Sequence, residues 1–467
     1  MIRAINEKLK KQAVTPQELF AEARKKALKE QEKYNCFVTI LDEFKMKEAD
    51  TLLSGIPYSL KDNISTKGIL TTASSNILRD YVPVYDATVY QKLKKAGAVL
   101  VGKTVLDELA MGGTGTTAHT GIVCNPFDES RIVGGSSAGS VASVALGITP
   151  FSIGSDTGDS IRKPAAYTGL VGFKPTYGRI SRYGLFAFAS SLDHVGCITL
   201  SVEDAAIVTD IIKGECKHDM TTLSNDGKEY AELLHGDVKN KKLFYIEEIC
   251  DQTNCDDETK KVLDNFYQVV EQCRDLGIEV IAESVDADLL KAIYPAYMAI
   301  SCAEATSNNA NLLGVSFGYR ESGETIEDII FNSRTKGFSE LIKRRFILGS
   351  FILQKENQEK LFLNAARVRR LVVERINELL VKYDGFILPA TGGVAPKIDE
   401  VNNKFDDKKM MLETNLIIGN FGGFPSITIP SGKIDGMPIA INITGRVKED
   451  DIILNMAYQL EKRLGDF

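Results

Sequence analysis

Apolar residues along this chain recur with two periods, and a glycine stands where one period gives way to the other. In "KVLDNFYQVVEQCRDLGIEVIAES", Val262, Phe266, Val269, Val270 and Cys273 fall on one helical face, Gly277 ends the helix, and "IEVIA" supplies a strand. The segment "ATVYQKLKKAGAVLVGKT" repeats the step, with a helix ending near Gly97 and a strand "AVLV" after it. A third amphipathic helix, "RVRRLVVERINELLVKY", leads into the apolar run "GFILP". This alternation predicts an α/β fold, a large sheet covered by helices, with no tandem repeat. Residues 1–50 read as an N-terminal helical arm, in which Thr15 caps a helix opened by Pro16 and Glu18 stands three residues after the cap. Residues 51–467 read as the main domain, and the polar stretch 214–240 as an excursion on its surface.

Composition narrows the functional classes. The 56 basic and 63 acidic side chains leave a net charge of −7, so no global field draws in nucleic acid or an anionic membrane. A nucleic-acid partner would need a local patch or another subunit. No apolar run is long enough to span a bilayer. The opening "MIRAINEKLKKQ" is amphipathic and charged, unlike a signal peptide, so the expected location is the cytoplasm and the eight scattered cysteines are expected as reduced thiols. Cys250 and Cys255 in "CDQTNC" lack a second pair or a nearby histidine, and no metal site is expected there.

Two motifs match familiar patterns in the wrong context. Gly97 to Thr104, "GAVLVGKT", has the spacing of a phosphate-binding loop, yet a helix precedes it and its middle residues read as strand interior. Gly135 to Gly139, "GSSAG", has the spacing of a nucleophile elbow around Ser137, with Asp193 and His194 as conceivable partners. Only "RIV" precedes that elbow, and an adjacent Asp and His do not readily fill two separate places in a triad. The four histidines, His119, His194, His218 and His235, are dispersed without metal-binding spacing, which favours catalysis without histidine. A serine can be activated instead by a lysine kept neutral through burial and hydroxyl neighbours. Lys61 in "GIPYSLKDNIS" follows a run that reads as a buried strand, which makes it the candidate base.

Three segments, "GIPYSLKDNISTKGILTT", "RIVGGSSAGSVASVALG" and "SIGSDTGDSIRKPAAYTGLVGFKPTYGRIS", resemble the amidase signature family in content, order and spacing, and the likeness extends from about residue 37 to the C-terminus. The resemblance implies a large mixed β-sheet surrounded by α-helices and a triad of Ser160 as nucleophile, Ser136 as proton relay after a cis peptide, and Lys61 as base. It further implies an oxyanion hole from the backbone N–H groups of Thr157, Gly158, Asp159 and Ser160.

Within the family, "KPTYGRISRYGLFAFASSLDHVG" and "AEATSNNANLLGVSFGYR" are similar to the glutaminase subunits of tRNA-dependent amidotransferases. Such a subunit passes ammonia from glutamine to a partner that amidates a mischarged tRNA. The implied partners are the B and C subunits of the amidotransferase, with the tRNA held mainly by the former; no cofactor is expected in this chain, and ATP and magnesium are expected on the partner. Tyr297, Arg345 and Glu413 correspond to the glutamine-holding positions, where Glu413 replaces the family's Asp. Two further departures are Ala138 and Asp159, each standing where the family has Gly. Ala138 is mild unless its position needs positive φ. The Asp159 carboxylate would oppose a developing oxyanion unless it turned away, towards Arg162 or Lys163. Two other readings stay open: a stand-alone amidase acting on another small amide, and a weakened subunit kept for assembly.

Overall fold

The computed structural model describes residues 1–401 and 407–465, so residues 402–406, 466 and 467 of the expected main domain lie outside the described residues. Eleven strands form one mixed sheet: β1 (Phe37–Ile40), β2 (Pro57–Lys61), β3 (Val99–Thr104), β4 (Phe151–Asp156), β5 (Val171–Lys174), β6 (His194–Thr199), β7 (Lys242–Ile246), β8 (Glu279–Glu283), β9 (Gly385–Pro389), β10 (Ser426–Ile434) and β11 (Met437–Gly445). Their spatial order is β1, β3, β2, β4, β6, β5, β10, β11, β9, β7, β8. The neighbours β3, β2 and β4 run parallel, as do β9, β7 and β8; the central pairs are antiparallel.

The helix-to-strand steps legible in the sequence are present. Helices Thr88–Lys95 and Asp257–Asp275 both stop before a glycine with φ of +81°, Gly97 and Gly277, a conformation that L side chains resist. Each chain then enters a strand, β3 and β8. Strand alternation sorts the core into two layers. Val99 and Val101 of β3 pack with Phe20, Ala23, Ala27 and Val141 on one face of the sheet, while Leu100 packs with Tyr58, Leu60 and Ile153 on the other.

At the N-terminus, helix Pro16–Tyr34 carries the expected capping box, with the Thr15 side chain and Glu18 bonding each other's backbone N–H groups, an arrangement worth about 1 kcal/mol. The segment 1–50 is not helical throughout, however: residues 37–40 form β1 and pair with β3. Four residues are too few to show a period, and they gain their strand conformation from the β3 edge beside them. The segment 214–240 contains only a short 3₁₀ turn, Tyr230–Glu232, and Tyr230, Leu234 and Val238 of it are buried against the core.

Candidate active site

Lys61 is the last residue of β2 and Asp156 the last of β4, so these parallel neighbours end side by side. Crevices at the carboxyl ends of such strands are the usual place for a site in an open α/β sheet. Along β2, Tyr58 and Leu60 enter one core layer, which sends Ser59 and Lys61 to the opposite face. There helix Ala138–Ala145 covers them: Ser59 Oγ meets Ser143 Oγ at 2.8 Å. Lys61 Nζ reaches Ser136 Oγ at 2.8 Å, Ser137 Oγ at 2.9 Å, Ser155 Oγ at 2.9 Å and the Ser155 carbonyl at 3.1 Å.

Every direct partner of this amine is a hydroxyl or a carbonyl. Desolvation is the largest influence on Lys61 and lowers its pKa to about 7, against the upward pull of Asp156, Asp107 and Asp193. A neutral amine offers two N–H donors and one lone pair, and the lone pair can take the proton of a neighbouring serine. The peptide bond between Gly135 and Ser136 is cis, as the resemblance implies. A Cβ on Gly135 would lie 1.9 Å from Asp107 Oδ2, so only glycine fits before Ser136. Ala138 opens its helix without positive φ, so the replacement of glycine there brings no backbone strain.

The loop after β4 carries Ser160, which is buried and whose carbonyl accepts the Ser137 N–H at 3.1 Å. A buried ion pair holds this loop. Arg162 donates to Asp156 through Nε and Nη2, each at 3.0 Å, and to the Gly158 carbonyl at 2.8 Å. Burial alone would raise the Asp156 carboxyl, but the guanidinium beside it holds it well below the usual carboxylate range. Because the Gly158 carbonyl is tied to Arg162, the Asp159 N–H on the far side of that planar trans peptide points away from Arg162. Among the described residues, the N–H groups of Thr157, Gly158, Asp159 and Ser160 have no hydrogen-bond partner. Gly158 packs closely: a Cβ there would meet the Tyr297 ring at 3.0 Å.

A cavity of about 250 Å³ adjoins the loop, and Asp159, Lys163, Tyr297, Arg345 and Glu413 line it. Among the described residues, Arg345 Nε and Nη1 are buried without a hydrogen-bond partner, and its guanidinium lies 5.7 Å from the centre of the Phe188 ring. The Glu413 carboxylate is already engaged. It accepts the Gly392 N–H at 2.8 Å and the Tyr167 hydroxyl at 3.3 Å, and it pairs with Lys163 at 3.4 Å. The Asp159 carboxylate turns to Lys163 at 2.9 Å, while Arg162 is committed to Asp156.

The two motifs in unsuitable contexts are accounted for by the fold. Residues 99–104 are strand β3, and Lys103 is buried with its Nζ on the Ile64 carbonyl and Thr71 Oγ1, each at 2.8 Å, and on Asp62 at 3.4 Å. Ser137 bonds Lys61 and the Ser155 carbonyl. Asp193 accepts from Thr157 Oγ1 at 2.7 Å, and the His194 ring meets the Leu192 carbonyl at 2.7 Å, so neither serves Ser137.

Two groups escaped the sequence reading. Asp107 receives the N–H groups of Thr114, Gly115 and Thr117 and donates its own N–H to the Ser136 carbonyl, bracing the serine from the far side. Asn420 bonds both Asp156 and Arg162 from a distant part of the chain. The adjacent carboxylates Asp107 and Glu108 ahead of the Gly- and Thr-rich run "MGGTGTT" were the available signal for Asp107; Asn420 offered none.

A profile described as Amidase matches residues 3–454, and the chain belongs to the amidase family. It is 38% identical to the A subunit of glutamyl-tRNA(Gln) amidotransferase from Oenococcus oeni, covering 99% of this chain and 96% of that protein. It is 37% identical to the protein of the same name from Sulfolobus acidocaldarius, covering 99% and 98%. A crystal structure of the A subunit of glutamyl-tRNA(Gln) amidotransferase from Thermotoga maritima superposes with a TM-score of 0.80 at 33% identity, over 96% of this chain and 92% of that one.

Proposed function

We propose that this chain is the glutaminase subunit of a tRNA-dependent amidotransferase. Ser160 Oγ attacks the side-chain amide of glutamine while its proton passes through Ser136 to the neutral amine of Lys61. The N–H groups of residues 157–160 receive the oxyanion. As the tetrahedral intermediate collapses, Lys61 returns the proton through Ser136 to the departing nitrogen, releasing ammonia and leaving a glutamyl ester on Ser160. Water activated by the same base then hydrolyses the ester. Arg345 grips the α-carboxylate through its unpartnered N–H groups, Tyr297 supports the amino acid, and Glu413 furnishes negative charge for the α-ammonium.

The observation that carries this reading is Lys61: a fully buried amine, ringed by hydroxyls, at a strand end under the loop whose Asp159 lines the cavity that Arg345 also lines. The ammonia passes to the B and C subunits of the complex, where ATP and magnesium serve the amidation of the mischarged tRNA, held mainly by the former. The net charge of −7 accords with that division. Ammonia release from glutamine, with and without these partners and charged tRNA, tests the assignment. Release that requires Ser160 and rises with the partners supports it. Equal hydrolysis of other small amides by the isolated chain would point to a stand-alone amidase.

A further inference from the structure

Asp159 places a carboxylate one residue before the nucleophile, and Gly158 contributes no side chain to stand between it and the oxyanion hole. What restrains that carboxylate is visible in the turn that follows. The Lys163 N–H donates to the Asp159 carbonyl at 2.8 Å, closing a helical turn that brings both side chains to one side. Lys163 Nζ then meets Asp159 Oδ2 at 2.9 Å, the Glu413 carbonyl at 2.7 Å and Glu413 Oε2 at 3.4 Å. We propose that Lys163 is a positioning residue for the reaction, clamping the Asp159 carboxylate against the Glu413 wall and so keeping negative charge out of the oxyanion hole. The proposal rests on the reading of Ser160 as nucleophile.

Charge balance supports the clamp. Among the described residues, the cavity wall carries two carboxylates, Asp159 and Glu413, and two cations, Lys163 and Arg345. Loss of Lys163 leaves the wall with an excess negative charge next to the place where an oxyanion develops. It also frees a short side chain whose own backbone N–H belongs to that hole. Arg162 cannot replace Lys163, since its donors are committed to Asp156, Gly158, Asn420, Ser426 and the Leu416 carbonyl.

The titration behaviour around Asp159 gives the clamp a signature. Burial pushes the Asp159 carboxyl above its ordinary range, and Lys163 pulls it back down. The other groups facing it are Arg162 and Asp156 behind the loop, Tyr297 from helix Ile293–Asn308, Tyr167 and Glu413 across the cavity, Arg345 on its wall, and Lys61 beneath. Without Lys163 the carboxyl titrates at higher pH, so its harmful charge appears as pH rises. That direction is opposite to the gain expected from deprotonation of Lys61.

Steady-state ammonia release by the assembled complex, compared for wild type, Lys163→Gln, Lys163→Arg and Asp159→Gly/Lys163→Gln, tests this. Lys163→Gln is expected to lower kcat by about tenfold or more while KM moves by less than about threefold, with the deficit growing as pH rises. Lys163→Arg should retain most activity, and removal of the Asp159 side chain should recover much of what Lys163→Gln loses. An undiminished Lys163→Gln enzyme, or a double variant as slow as the single one, overturns the clamp while leaving the glutaminase reading intact. If wild type itself released no ammonia, that reading would fall, and crystal structures would still decide the clamp. The Asp159 carboxylate should swing towards the N–H groups of residues 157–160 in Lys163→Gln; an unmoved carboxylate contradicts the proposal.

Discussion

Two lysines of the same site show how neighbours decide what an amine does. Lys61 and Lys163 both stand within a turn or strand end of the Ser155–Ser160 segment and are both largely withdrawn from water. Among the described residues Lys61 meets only hydroxyls and a carbonyl, desolvation prevails, and its pKa falls to about 7. Burial opposes the charge of Lys163 as well, but Asp159 and Glu413 outweigh it and hold the ammonium well above the ordinary lysine range. The first is poised to accept a proton; the second is a fixed cation. Burial sets the cost of charge in both places, and the presence or absence of a carboxylate decides whether that cost is offset.

The largest effect should come from removing the chemistry on the Lys61 side. Ser160→Ala is expected to reduce ammonia release by at least about ten-thousandfold and Lys61→Met by about a thousandfold or more, with glutamine binding retained in a calorimetric titration. Equal activity of Lys61→Met and wild type would remove Lys61 from the mechanism. The comparison can also be broken deliberately by giving Lys61 the kind of neighbour that Lys163 has. A carboxylate within about 4–6 Å favours a cation by roughly 1–3 pH units. Ser137→Asp should therefore shift the rise of the pH–rate profile upward by that amount and cut activity at pH 7 by about tenfold or more. An unshifted profile in a folded variant would show that local charge is not what sets the state of Lys61. A smaller effect, confined to binding, is expected on the cavity side: Arg345→Met should raise KM for glutamine by about ten- to fiftyfold through loss of a charge-assisted contact, with kcat changed less.

Legibility from sequence follows the same division. Helix-to-strand steps at Gly97 and Gly277 were readable because period and positive-φ glycine are local properties. Lys61 was readable because an ionisable residue closing an apolar strand is unusual, and Ser136 and Ser160 because their loops match a family pattern at every position but Ala138 and Asp159. Strand β1 was not, since its four residues take their conformation from a β3 edge some sixty positions away. The Asp159–Lys163–Glu413 bridge was half readable: the i,i+4 spacing is in the sequence, while the contact with Glu413 spans 250 positions. Glu413 was assigned to a glutamine-holding position, while its bonds to Gly392 and Tyr167 come from chain segments that only the fold assembles.

The central claim is that Lys61 works as a neutral base, and the pH dependence of kcat/KM for glutamine in the assembled complex tests it most directly. The neutral form exists above the pKa, so activity should rise with loss of a single proton around a midpoint near 7 and then stay level through the pH range where an ordinary lysine is still charged. A profile that is flat from pH 5 to 9, or one that rises only near the ordinary lysine value, would contradict the account.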